Sequence, residues 1–189
     1  MRPLIPAALA LTLAVSAAGA DEFTDTIDSA LSAYRENDVK GAREELDYAV
    51  KLLDSMKSAS LAKLLPAPLP GWTREDASAD DAEGAGMAMA MFGGGTAASA
   101  SYTDGTADMT ITLVADSPMV TGIGAMITGI AGAAGGKPLR IKRTQFTMNE
   151  GELQGVVDNK VMVSVSGSAS IEQKTAQIQA MDFEALGDF

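Results

Sequence analysis

The chain has 189 residues with no cysteine and no histidine, and its 14 Lys+Arg stand against 25 Asp+Glu for a net charge of −11. Thiolate nucleophiles, Ser-His-Asp triads and Cys/His zinc sites are thereby excluded, and a chain of this sign repels nucleic acid and anionic lipid. The length suits one main core.

Arg2 precedes an uncharged apolar stretch from Leu4 through Ala18, and the small residues Ala18, Gly19 and Ala20 close it. A positive start, an apolar core and an A-x-A boundary in that order form a secretory signal, so cleavage after Ala20 and a periplasmic destination are expected. No Arg-Arg pair precedes the core and no cysteine follows it, so neither twin-arginine export nor a lipid anchor is indicated. Loss of those twenty residues, Arg2 among them, leaves 13 basic against 25 acidic residues, a net charge of −12. In an oxidising compartment small domains often use disulfides; this one must rest on its core alone.

Beyond the signal, Ile27, Leu31 and Tyr34 recur at helical spacing, and Val39, Ala42, Leu46, Ala49, Leu53 and Met56 follow alternating steps of three and four. Two amphipathic helices joined around residues 36–38 are predicted. Asp38 is the expected N-cap of the second, Asp47 and Lys51 form a favourable i,i+4 pair, and Pro66 ends the helix near Leu65. The run from Ala33 to Ala42, with Leu46 and Ala49 following, resembles one tetratricopeptide helical hairpin. Asp54 stands near the place of that family's proline, and the pattern is not repeated. A single unit does not make a peptide-binding superhelix, so residues 21–65 are read as a helical hairpin docking on the rest.

Residues 66–71, with three prolines and Gly71, form a stiff connector, and Trp72 follows at once. The polar, acidic residues 77–86 read as an exposed loop. Asp104-Gly105 is a type I′ turn dipeptide. With Thr103 opposite Thr106, it places Ala98, Ala100 and Tyr102 on one face with Ala107, Met109, Ile111 and Leu113. A second hairpin with a three-residue loop at 158–160 pairs Val157, Gly155 and Leu153 with Val161, Val163 and Val165. Shorter strands are expected at 72–75, 139–142 and 145–148.

Asp116-Ser117-Pro118 opens an apolar helix from Met119 to Ala134, which Gly135-Gly136 ends, and Ser170 with Gln173 makes a capping box for a terminal helix presenting Ile171, Ile178 and Met181. The Gly-rich helix is expected to cover the apolar faces of the two hairpins. The predicted fold class is α+β, an antiparallel sheet layered with helices and preceded by the N-terminal helical hairpin, with residues 72–189 as the main domain. The order of elements and the Pro-Gly-Trp entry resemble the PsbP-like group of exported domains.

Few residues offer chemistry. Met87, Met89 and Met91 alternate with alanines, so a strand would align three thioethers able to hold Cu(I), although core filling explains them without the missing His or Cys ligand. Asp76, Asp80, Asp81 and Glu83 lack the spacing of a Ca²⁺ loop, and Ala131 to Lys137 falls short of a phosphate loop because Pro138 replaces the hydroxyl. Lys137, Arg140, Lys142 and Arg143 are the basic cluster of an acidic chain, and a strand would put Arg140 and Lys142 on one face as a docking stripe for an acidic partner. Trp72 is either a core anchor or part of that partner surface. The expectation is a non-enzymatic, cofactor-free periplasmic protein that binds an envelope protein or a small apolar ligand. A Met-based Cu(I) handler and a membrane-associating protein using the uncharged run 117–136 are the alternatives.

Overall fold

The computed structural model describes residues 18–77, 94–118, 120, 122 and 137–189. Two helices, α1 (Ala18–Arg35) and α2 (Val39–Ala62), are followed by seven strands. These are β1 (Thr73–Asp76), β2 (Thr96–Thr103), β3 (Asp108–Ala115), β4 (Lys137–Ile141), β5 (Thr144–Asn149), β6 (Glu152–Val157) and β7 (Val161–Ser166). Helices α3 (Ile171–Gln179) and α4 (Phe183–Asp188) close the chain. The strands form one antiparallel sheet in the order β1-β2-β3-β7-β6-β5-β4, so the expected α+β class with a leading helical hairpin holds. Two compact units divide after Met56. The end of α2 goes with the sheet because Leu61 and Leu65 lie in the sheet's core.

Local chemistry explains the helix ends. Asp38 caps α2 as expected, its Oδ1 accepting from the Gly41 backbone N–H at 2.9 Å. Regular helix stops at Ala62, and three-residue bonds from Leu64 to Leu61 and from Leu65 to Ala62 tighten the last turn before Pro66. The orphan carbonyls there are met by Arg74, which donates to Ala62, Leu65 and Pro66. Tyr102 Oη donates to the Pro66 carbonyl at 2.8 Å, and Gln177 both donates to the Ala67 carbonyl and accepts from the Leu69 N–H. The connector then turns at Pro70-Gly71, where Gly71 has φ +83° and the Trp72 N–H donates to the Leu69 carbonyl, a type II turn.

The hairpins test the sequence reading closely. The β6–β7 pair has the expected register, with Val157 opposite Val161, Gly155 opposite Val163 and Leu153 opposite Val165. In the β2–β3 pair Thr103 lies opposite Asp108 rather than Thr106, and the loop spans 104–107. Within that loop only Gly105 has positive φ, so the type I′ turn does not form. Instead Asp104 Oδ1 accepts from the Ala107 and Thr106 N–H groups at 2.8 Å each, which also hold its carboxyl below the usual range. The slip is two residues, and because side chains alternate with period two the faces are unchanged. Ala100, Tyr102, Met109, Ile111 and Leu113 are all buried together.

The β4–β5 hairpin corrects one expectation. Ile141 pairs with Thr144, leaving Lys142 and Arg143 as a two-residue loop with φ of 44° and 71°. Both residues must be left-handed in such a turn so that its twist matches the strands. Lys142 is therefore off the strand and does not share a face with Arg140.

The core forms one face of the sheet, closed by Leu61 and Leu65 and by Ile178, Met181 and Leu186 of the C-terminal segment. Ser170 makes the expected capping box with Gln173, while α4, capped by Asp182, was not foreseen. Lys174 is 1% exposed, and its ammonium donates to the Gly151 and Gly167 carbonyls at 2.6 and 2.7 Å, pinning α3 to two loops. Residues 118, 120 and 122 are helical, so a helix opens at Pro118 as expected, but the rest of the predicted Gly-rich helix, 123–134, lies outside the described residues. Among the described residues no helix is long and apolar enough to cross a membrane.

Two outcomes follow from this core. A Cβ at Gly155 would lie 2.7 Å from the Phe146 ring on the paired strand, so Gly155→Ala should destabilise the protein by about 1–3 kcal/mol in urea unfolding. Burial pushes the Tyr102 hydroxyl up from 10.0 to about 12. The folded state therefore favours the neutral phenol, and its contribution is complete below about pH 10 and lost as pH rises toward 12. Thermal midpoints measured across that window should fall more steeply in the wild type than in Tyr102→Phe.

Candidate functional site

The N-terminal hairpin buries several small residues and leaves several large apolar ones exposed. Thr26 and Ala30 on α1 and Ala42 and Ala49 on α2 are buried yet stand outside the sheet's core cluster, marking the seam between the helices. Small side chains allow such helices a close approach. Val39, Leu46 and Leu53, which share the three-and-four pattern with those alanines, are 67%, 49% and 42% exposed. Leu31, Tyr34, Tyr48, Val50 and Met56 are exposed as well.

Helical phase sorts these residues into two flanks. At about 100° per residue, Val39, Leu46, Val50 and Leu53 fall on one side of the α2 seam, and Tyr48 on the other. Tyr48 donates to Glu22 Oε1 of α1 at 2.7 Å, which fixes the polar flank and raises the tyrosine's pKa through that carboxylate. Glu22 precedes the α1 seam residues in phase, whereas Leu31 and Tyr34 follow them. In an antiparallel pair this brings Leu31 and Tyr34 to the flank that carries Val39, Leu46, Val50 and Leu53. Ion pairs Lys40 to Glu44 at 3.4 Å and Arg43 to Asp47 at 3.6 Å run along the solvent side of α2, so Asp47 is met by Arg43.

The residues singled out from sequence are dispersed. Trp72 is half-buried against the sheet core just before edge strand β1. Arg140 is exposed on β4, the opposite edge. Six strand spacings of about 4.8 Å separate those edges, on the order of 30 Å, so the two do not form one surface. Lys142 reaches the C-terminal segment, its Nζ donating to the Met181 carbonyl at 2.8 Å and lying 5.6 Å from the Phe183 ring centroid. Lys137, Pro138 and Arg140 give β4 the composition that blunts an exposed sheet edge against strand addition. Met87, Met89 and Met91 lie outside the described residues. Among the described residues no group of three or more carboxylates is placed to hold a metal ion.

An open cleft of ≈ 400 Å³ lies at the end of β3 and β7, lined in part by Asp116, Ser117, Lys160 and Phe189. Its charged side chains are engaged within the fold. Asp116 pairs with Lys57 at 2.5 Å, and Lys160 Nζ donates to the Gly187 carbonyl at 2.6 Å near the end of α4. Asp116 also holds φ 54°, a left-handed conformation that costs a β-carbon residue about 1–2 kcal/mol. Asp116→Gly and Asp116→Val both lose the ion pair, so their difference isolates the backbone. Urea unfolding should show the valine variant less stable by at least about 1 kcal/mol.

The exposed flank was missed in sequence because its spacing equals that of a core-facing stripe. The signal available was the alternation of size, with alanine at 42 and 49 against Val39, Leu46 and Leu53. Comparison with protein-family models, with curated proteins and with solved structures finds no match to this chain.

Proposed function

We propose that this chain is an exported, non-enzymatic binding protein of the bacterial envelope that docks another protein through the apolar flank of its N-terminal hairpin. The exposure of Leu31, Tyr34, Val39, Leu46, Val50 and Leu53 on one flank carries the reading. Six large apolar side chains, between 42% and 67% exposed, present a patch on the order of 500 Å², a size that often marks an interaction site. The first twenty residues support export, with Arg2, the apolar run and the Ala18-Gly19-Ala20 boundary in signal order. A chain without cysteine or histidine also lacks the side chains most used in covalent and acid-base catalysis. Trp72 and Arg140, at opposite sheet edges, are not part of the proposed surface.

Photo-crosslinking in living cells tests this. A benzophenone amino acid at Leu46 should give protein adducts in the envelope fraction, while the same group at Lys51, on the polar side of α2, should give none. Equal adduct yields at both positions, or none at Leu46, would remove the flank as a docking surface.

A further inference from the structure

Resting on that docking reading, the geometry points to a basic amphipathic helix of a partner protein as the occupant of the hairpin's apolar flank. Val39, Leu46 and Leu53 recur every seven residues, as do Ala42, Ala49 and Met56. A seven-residue repeat is the pattern by which a helix packs lengthwise on another helix at a shallow angle. In α2 the alanines of one row are buried at the seam and the other row is exposed, so among the described residues half of a helix-packing pattern is used and half is open. From Val39 to Leu53 the open row runs about 21 Å, four turns, which sets the length of helix that fits it.

Charge selects the partner. Between Asp21 and Met56 the sequence carries ten acidic and four basic residues. Two of the four bases, Lys40 and Arg43, are paired with Glu44 and Asp47. Beside the apolar row, helical phase places the Arg43–Asp47 pair and Asp54 next to Val50 on the α2 rim, and Arg35 and Asp28 next to Leu31 on the α1 rim, so outside the pair the rims carry two acidic residues against one basic. A second copy would bring one net charge of −6 against another, whereas a helix with lysine or arginine beside its apolar stripe meets the hairpin's net negative charge. An apolar face laid in a groove with opposite charge on the rims is a common mode of helix recognition.

The test titrates purified protein into three labelled peptides of about 18 residues, five turns each. One is a Leu/Lys amphipathic helix, one its Leu/Glu counterpart, and one a Leu/Lys peptide of the same composition scrambled out of helical phase. Fluorescence anisotropy at about 0.15 M salt should show the first bound at least about tenfold more tightly than either other. The charge-neutral double substitution L46Q/L53Q, at two exposed positions, should weaken that binding about tenfold and leave the thermal midpoint unchanged. Equal binding of the scrambled peptide would reduce the effect to bulk charge, and equal binding of the Leu/Glu peptide would remove the charge selection. Unchanged affinity in L46Q/L53Q, or a protein dimer that the same substitution dissolves, would also overturn the proposal. Crosslinked adducts at Leu46 without peptide preference would sink the helix assignment alone and leave the docking reading intact.

Discussion

Antiparallel pairing of β3 with β7 is the constraint on which the sheet unit depends. β1-β2-β3 and β4-β5-β6-β7 are each meanders of neighbouring strands, and among the described strands only the ladder from Thr110–Ser166 to Ala115–Val161 joins them. Rows of apolar side chains cross that junction, one running Ala100, Ile111, Val165, Leu153 and Met148, another Leu113, Val163, Gly155, Phe146 and Leu139. Without the junction each meander would expose the edge of a half-core, and α3 and α4 would lose the surface they cover. Its closure spans more than forty residues of chain, a loop entropy that only this much burial offsets.

Buried polar groups then fix what the apolar core leaves adjustable. Tyr102, Arg74 and Gln177 come from β2, β1 and α3, and all three bind the main chain between Ala62 and Leu69. A proline-rich segment has few N–H donors to organise itself, so its carbonyls are organised by side chains. Lys174 acts likewise, its buried ammonium joining the loops at Gly151 and Gly167. Such contacts stabilise modestly when made, and leave costly orphan groups when broken.

The functional reading turns on a division of labour within one repeat. Over residues 39–53 of α2, Ala42 and Ala49 make the seam while Val39, Leu46 and Leu53 make the surface. That inverts the usual sense of an amphipathic stripe, in which the largest apolar residues mark the core. From sequence alone the stripe was visible and its use was not. Size alternation within the stripe was the available clue, but burial depends on where the neighbouring helix lies. The basic cluster shows the same limit: Arg140 and Lys142 share strand parity, yet a two-residue turn at 142–143 moves Lys142 against Phe183.

Local periodicity and turn chemistry by themselves determined the helical hairpin, the Asp38 and Ser170 caps, the β6–β7 register and the faces of β2 and β3. These depend on residues within a hairpin or a helical turn of one another, where stereochemistry leaves few choices. Tertiary structure alone decided the β3–β7 junction, the α4 turn, the place of Lys142 and the two-residue slip at Asp104. The slip leaves every side chain on its own face, so hydrophobic patterning cannot detect it, and the carboxylate's bonds to Thr106 and Ala107 select it. The exposure of Leu46 and Leu53 belongs to the same class, because a stripe states which residues avoid water and only the packed neighbour states which of them succeed.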